Sequence, residues 1–486
     1  MGLGKVRMAR ANWLGRLVGV LIAGLVIGAA ALLWFAVSAS AKDVAETPSE
    51  TVILGFWNVF YETRAPSPQV AATAIAFAIF FAVGVALLER RAAKRSRRSL
   101  NPRVTPLAPR VVMAETRGVF AGEVTVTVLI PAHNEEGSIQ ATLASLVSQS
   151  RPPERIIVVA DNCTDATVSL ALSAGVEVFV TINNTKKKAG GLNQALVGVL
   201  PGQGENGIVM VMDADTVLND GFLESAVRRF TSDRALMALG GMFYGDEGCG
   251  LIGQIQRNEY VRYGREISRR RGRVFVLTGT ASMFRPRALR EVAEQRGNTI
   301  PGNPGDVYDT VALTEDNELT IALKTLGALM ISPSECRVVT ELMPTMAALW
   351  RQRLRWQRGA LENIGTYGIT PATFRYWAQQ IGIGYSVIAL YAFMLMMAIT
   401  VLAVDRWIWF PFWAGLGILF VTERVVTVWK GGWRARVLAA LLFPELLFDM
   451  YLNTIYVKGI IDLTLGRQPS WTHLSSVTAN SNEMVT

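Results

Sequence analysis

Apolar and polar positions follow three regimes along this chain. Residues 17–38 are an almost unbroken apolar run preceded by Lys5, Arg7, Arg10 and Arg16. A bilayer span needs about 20 such residues, and a cleaved signal sequence has a shorter apolar core of roughly 7–15. Residues 69–88 form a second run, followed at once by the basic stretch 89–98. Only Lys42 and Arg64 lie between the runs, so the excess of positive charge places both basic ends in the cytoplasm and predicts a helical hairpin. The intervening residues 51–61 are too short to span and carry Trp57 and Tyr61, which suits the outer interface.

From about 124 to 339 the pattern changes to short apolar strands alternating with amphipathic helices, the signature of a doubly wound, mostly parallel α/β sheet. The expected strands are 124–130, 155–160, 177–181 and 208–212. After the first, Ile139, Leu143 and Leu146 recur at helical spacing. Each strand ends in polar residues, and a parallel sheet brings such ends to one edge, where open α/β sheets bind ligands. Residues 381–404 and 407–421 are apolar again. Residues 437–461 are apolar but interrupted by Pro444, Glu445, Asp449 and Asn453, whose polar groups must face protein or water. That stretch fits either one crossing or a helical hairpin. The organisation expected is a transmembrane hairpin in 1–100, a catalytic domain in 101–345, amphipathic interface helices in 346–378, a transmembrane region in 379–465 and a polar tail in 466–486.

Composition sharpens this picture. The chain is 51% hydrophobic with a formal net charge of +9, and no dense basic face with interleaved aromatics occurs in its middle. That combination points to a membrane protein with basic loops and against a nucleic-acid binder. Three widely separated cysteines, Cys163, Cys249 and Cys336, predict free thiols on a cytoplasmic face. With His133 and His473 the only histidines, a histidine-based triad or metal site is improbable.

The polar strand ends carry the chemistry. Asp213 and Asp215 follow the most apolar strand, and two aspartates at i and i+2 suit Mg²⁺ or Mn²⁺ shared with a diphosphate. Alone, the pair reads more readily as a solvated strand-to-loop turn, and its neighbours change that reading. Thr314 is a candidate N-cap, and Glu315 and Asp316 suit the positive end of a helix backed by Leu319, Ala322, Leu323 and Leu326. Gln352, Arg355 and Trp356 share a helical face, either as a membrane-interface belt or as a guanidinium site for phosphate oxygens.

Taken in order, Pro131-Ala-x-Asn-Glu135, Asp161, Lys188-Ala-Gly-Gly-Leu-Asn193, Asp213-Ala-Asp215, Thr314-Glu-Asp316 and Gln352-x-x-Arg-Trp356 resemble the motifs of membrane-integrated family 2 glycosyltransferases. The likeness is to the branch of cellulose, hyaluronan and poly-N-acetylglucosamine synthases, and is strong over about 124–359. It implies a GT-A-type, Rossmann-like domain set between transmembrane helices of a multi-pass cell-membrane protein, with catalysis on the cytoplasmic side. It further implies that Asp161 accepts a hydrogen bond from the uracil of a UDP-sugar, with Pro131, Ala132 and Glu135 around the nucleoside and Lys188 near base or phosphates. Asp215, with Asp213, would hold Mg²⁺ or Mn²⁺; Asp316 would be the general base; Gln352, Arg355 and Trp356 would hold the diphosphate and line the acceptor end.

The implied reaction is inverting transfer from a UDP-sugar to a growing β-linked polysaccharide, processive and coupled to export through the chain's own helices. A second reading is single transfer to a lipid or lipid-linked acceptor. A third, a membrane scaffold that only senses UDP-sugar, has no need of Asp316. Membrane lipids surround such an enzyme, and second-messenger control would require an accessory subunit. Thr278-Gly-Thr280 lies where such enzymes position the acceptor, yet fits equally a strand turn that needs glycine.

Overall fold

The computed structural model describes residues 50–53, 57–60, 83–92, 94–95, 98–116, 123–270, 272–403 and 411–467. They divide into two compact units, one of residues before 91 and after 367, the other spanning Arg91–Tyr367. The expected apolar span 17–38, most of 69–88, residues 404–410 and the polar tail lie outside the described residues.

In the first unit, strands β1 (Glu50–Ile53) and β2 (Trp57–Phe60) pair antiparallel. Residues 83–92 are helical, and Glu89 meets Arg375 at 2.6 Å. Among the described residues one helix, Phe374–Ala403, contains a stretch long and apolar enough to cross a bilayer: Phe374–Ile399, 26 residues with mean hydropathy 1.9. The interrupted stretch after 431 resolves into two helices, Gly432–Ala440 and Phe443–Thr464, broken at Leu442, whose φ of +57° lies in the left-handed region. Pro444 enters the first turn of the second helix, where its missing N–H costs no bond. Glu445 is buried 3.7 Å from Arg424, which also meets Asp449 at 2.5 Å. The ionisable groups in this apolar segment are therefore paired, as their burial demands.

The second unit is built on a seven-stranded sheet of β3 (Thr125–Ala132), β4 (Arg155–Ala160), β5 (Glu177–Val180), β6 (Gly207–Met212), β8 (Leu236–Gly240), β10 (Ala281–Phe284) and β11 (Leu329–Ile331), in the order β11-β8-β10-β6-β3-β4-β5. Strands β3 to β6 are mutually parallel; β10 runs antiparallel between β6 and β8. A smaller sheet joins β7 (Thr216–Leu218), β12 (Arg337–Thr340) and β9 (Met242–Gly245).

Alternation along each strand divides the core into two layers. Leu129, Ile157, Val159, Val209 and Val211 face one layer, with Leu192 and Leu196 of the Lys187–Val199 helix and Leu319 and Leu323 of the Glu315–Thr325 helix. Val128, Ile130, Val158, Met210 and Met212 face the other, with Ile139, Leu143 and Leu146. Burial on both faces explains why these strands read as continuous apolar runs. Strand β3 continues two residues past its expected end: Pro131 and Ala132 pair with Val159 and Ala160 of β4. Pro131 stands beyond the last residue of β3 that pairs with β6, so its lack of an N–H takes no bond from that ladder.

Candidate active site

The carboxyl ends of β3, β4 and β6 carry the first group of expected site residues. Asp161 follows β4 directly; its N–H donates to Ala132 O at 2.9 Å, which ties the two strand ends together. Its Oδ1 accepts from Thr181 Oγ1 and Asn184 Nδ2, both at 2.8 Å, and from Asn162 Nδ2 at 3.1 Å. No described residue donates to Oδ2. Asn134 and Asn162, at φ of +57° and +51°, turn the two loops through a conformation that asparagine tolerates. His133 Nδ1 lies 2.6 Å from Asp161 O, so this histidine braces the loop backbone. Glu135 accepts from Ser138 Oγ at 3.0 Å, and burial, opposed by that bond and reinforced by Asp213, holds its carboxyl above the usual range. Pro131, Ala132, Glu135 and Asp161 thus come together at one edge.

A second group lies past β6. Lys188, in the first turn of its helix, places Nζ 2.5 Å from Asp213 Oδ1 and 3.2 Å from Glu315 Oε1. Burial opposes the ammonium, but Asp213, Glu315 and Asp316 outweigh it and raise the lysine pKa. Gly279 bridges two acids through its backbone: its carbonyl accepts from Asp213 N, and its N–H donates to Asp316 Oδ2, both at 3.1 Å. Asp316 Oδ1 accepts from Asn317 N at 2.7 Å. Burial and then the adjacent Glu315 nevertheless push the Asp316 carboxyl up to about 6, against the pull of Lys188. Asp215, half-buried and facing Asp213, Glu135 and Glu341, is pushed up to about 7, chiefly by its desolvation.

The Met346–Tyr367 helix supplies Gln352, Arg355 and Trp356. The charge of Arg355 reaches both Lys187 and Glu315. It adds to burial in lowering the lysine, and joins Lys188 in holding Glu315 below its ordinary value. Gln352 Oε1 is buried with no hydrogen-bond partner among the described residues. Trp356 stacks under Arg353, whose guanidinium lies 4.4 Å from the ring centroid and 2.8 Å from Glu259.

This helix also fixes the Asp316 helix. Asn363 Nδ2 donates to both Thr314 O and Thr314 Oγ1 at 3.2 Å, and Gly359 packs on Thr314. Thr314 stands at the N-cap position as expected, but its hydroxyl makes no capping bond; Asn363 engages it instead. Tyr367 Oη donates to Glu318 Oε1 at 2.5 Å. Glu318 in turn forms a buried bidentate pair with Arg296, at 2.5 and 2.7 Å. Arg296 also binds the carbonyls of Pro301 and Val307. Asn193 Oδ1 accepts from Val307 N and Tyr308 N, which sets the Tyr308 ring in a small cavity with Lys188, Gly279 and Asp316.

Sequence reasoning missed Arg296, Tyr308, Glu318, Arg353 and Asn363 as supports of this site. Arg353 alone had a local signal, since it stands one turn from Trp356 on a helix already suspected. Among the described residues no three Asp, Glu, His or Cys side chains converge as a ready-made metal cage. The donor set is nonetheless of the right chemistry for Mg²⁺ or Mn²⁺: carboxylate oxygens only, too few to complete a shell without phosphate and water.

Residues 127–293 match the model of glycosyl transferase family 2. The matched segment carries Asp161, Lys188, Asp213 and Asp215. Over 244 residues the chain is 26% identical to a poly-β-1,6-N-acetyl-D-glucosamine synthase of Staphylococcus aureus and 27% identical to that of Staphylococcus epidermidis. The aligned stretch is 49% of this chain and 55% of each relative, so the chain spans little more than half the length of these relatives. Among solved structures, a mannosyltransferase from Pyrobaculum calidifontis in complex with GDP-mannose and Mn²⁺ is 17% identical, covering 82% of this chain and 99% of that one at a TM-score of 0.48. A glucosyl-3-phosphoglycerate synthase from Mycobacterium tuberculosis, in complex with Mn²⁺, UDP and phosphoglyceric acid, is 17% identical over 54% of this chain and 82% of that one, at a TM-score of 0.34. The matched domain is α/β, with a mostly parallel sheet into which β10 enters antiparallel between β6 and β8.

Proposed function

We propose that this chain is a glycosyltransferase that moves a sugar, with inversion, from a UDP-sugar to the end of a growing β-linked polysaccharide at the cytoplasmic face of a membrane. The observation that carries the reading is the convergence of Asp316, Lys188 and Asp213 around Gly279: a carboxylate, a cation and one aspartate of the Asp-x-Asp pair in one crevice. The names of the staphylococcal relatives favour an N-acetylhexosamine as the sugar transferred.

Asp161 accepts from the imide N–H of uracil through Oδ2, its Oδ1 being already committed to three donors. Pro131, Ala132 and Glu135 enclose the nucleoside. Asp316 removes the proton from the acceptor hydroxyl as that oxygen attacks the anomeric carbon from the face opposite the diphosphate. The bond to the diphosphate oxygen breaks, and Lys188 and Arg355 meet the charge that develops there. An α-linked donor therefore gives a β-glycoside. Asp215 and Asp213 would hold Mg²⁺ or Mn²⁺, which when bound supplies charge neutralisation at the diphosphate. Trp356 offers an aromatic face to the acceptor sugar, and Gln352, whose Oε1 lacks a protein partner, offers it a hydrogen bond.

A membrane location is supported by the Phe374–Ile399 stretch and the basic residues 90–98. Processive synthesis with export through the chain's own helices completes the reading, supported by the polar residues of the Phe443–Thr464 helix. The test is UDP release by the detergent-purified chain across a panel of UDP-sugars with Mg²⁺ or Mn²⁺, and Asp316→Asn as control. Release from one donor that stops in the variant, with a product of many sugars, is the expected result. A product of one sugar on lipid would replace the polymer reading by single transfer, and donor turnover unaffected by the variant would refute the assignment of Asp316.

A further inference from the structure

Lys188, proposed above to meet the donor's diphosphate, already has two carboxylate partners. Its Nζ is 2.5 Å from Asp213 Oδ1, against one of the two carboxylates that suit a divalent cation, and 3.2 Å from Glu315 Oε1. The backbone is shaped to let that pair close. A Cβ on Gly279 would stand 2.9 Å from Lys188 Nζ and 3.0 Å from Asp213 Oδ2, so any larger residue there would enter the space the ion pair fills. An ammonium is a compact point charge on a flexible stem, which makes it a fair stand-in for a metal ion at a carboxylate.

Resting on the metal assignment above, we propose that Lys188 is an internal counter-ion for Asp213, released onto the donor's diphosphate when nucleotide binds, so that the divalent cation enters with the nucleotide and not before it. Two features of the site lead there. A cation approaching Asp213 alone meets the positive Lys188 on the same carboxylate, and like charges so close repel strongly in a half-buried crevice. With no third ligating side chain converging on Asp213 and Asp215 among the described residues, the protein also leaves most of the ion's coordination shell to water and phosphate. A diphosphate changes both conditions at once, giving Lys188 a new anionic partner and the cation its missing oxygens. Glu315, the second partner of Lys188, serves as the pivot about which the ammonium turns.

The test measures Mn²⁺ binding directly, by the loss of the free-ion paramagnetic resonance signal, on the detergent-purified full chain with and without UDP. Wild type is expected to bind Mn²⁺ about tenfold more tightly with UDP than without, a coupling of ordinary size. Lys188→Met is expected to bind Mn²⁺ alone about tenfold more tightly than wild type, and to gain less from UDP. Lys188→Arg, which keeps the charge, should behave like wild type; should the methionine variant fail to fold, Lys188→Gln, which also removes the charge, takes its place. Equal or weaker binding of Mn²⁺ alone by Lys188→Met, or wild-type binding indifferent to UDP, would overturn the proposal. Asp215→Asn separates this failure from a wrong site: Mn²⁺ binding that survives it means the ion lies elsewhere, and the metal assignment itself falls.

Discussion

Gly359 and Thr314 approach so closely that no side chain fits between them: a Cβ at 359 would stand 2.5 Å from Thr314 Oγ1 and 2.8 Å from its Cγ2. Thr314 immediately precedes Glu315 and Asp316, and Gly359 lies one turn past Arg355 on a 22-residue helix. The contact is therefore the point at which the helix bearing Gln352, Arg355 and Trp356 bears on the helix bearing the proposed base.

Replacing Gly359 tests that contact. Overpacking of this kind costs typically about 1–3 kcal/mol, and here the strain falls on the first turn of the Asp316 helix. Gly359→Ala is expected to leave a folded protein with transfer slowed about tenfold, since a misplacement of about 1 Å at a reacting group costs up to about a hundredfold. Gly359→Val should be worse. Sugar transfer measured beside a thermal melt checks it; wild-type activity in Gly359→Val would mean that the two helices do not need this spacing.

Much of the domain was legible in advance because the physics is local. A short apolar run bounded by polar turns and buried on both faces fits a central strand, and β3, β4 and β6 lie where the pattern puts them, as does the half-exposed edge strand β5. Asp161 and Asp213 follow at strand ends, where a parallel sheet gathers its loops. What stayed hidden depends on long-range pairing. Arg296 and Glu318 meet across 22 residues of chain with no periodicity to announce it, and β10 enters antiparallel between β6 and β8, which no pattern within Ala281–Phe284 reveals. Residue type makes Thr314 a candidate cap, but Asn363, 49 residues away, decides what its hydroxyl does.

The Arg296–Glu318 pair is nearly free of solvent, with side-chain exposures of 0% and 2%. Breaking a buried pair from one side leaves an uncompensated charge and costs about 3–5 kcal/mol. Arg296→Met should therefore lower the melting temperature sharply, and Glu318→Leu added to it should restore part of the loss. If the double variant is no better than the single, the arginine's bonds to the carbonyls of Pro301 and Val307, not the ion pair, carry its contribution.

Asp161→Asn separates nucleotide recognition from chemistry. Three donors already converge on Oδ1 of this buried side chain, so an amide must turn its oxygen to them and present NH₂ where the carboxylate's Oδ2 stood. A donor N–H of uracil then faces another donor, and a mismatched buried hydrogen bond costs about 1–3 kcal/mol. UDP affinity measured by titration calorimetry should fall by about one to two orders of magnitude, while thermal stability changes little. Unaltered UDP binding would remove Asp161 from the base site.

The Asp316 carboxyl, pushed up to about 6 by burial and Glu315, sets the expected pH dependence. A general base acts only when ionised, so kcat/KM should rise with pH and level off above about 6, with about a tenth of the plateau left at pH 5. Stability should move the opposite way for the same group. A folded-state pKa above the unfolded value means that the fold favours the protonated form, so this carboxyl's contribution is greatest below about 4, declines between about 4 and 6, and is constant above. Asp316→Asn mimics the protonated form in charge but not in reactivity. It is expected to reduce transfer by about 10²–10⁴-fold while leaving the protein as stable as wild type or more so at pH 7. A rate profile flat from pH 5 to 8 would show that proton removal by a group of this pKa does not limit the reaction. A variant both inactive and strongly destabilised would mean instead that the bonds from Gly279 and Asn317 hold the site together through this carboxylate.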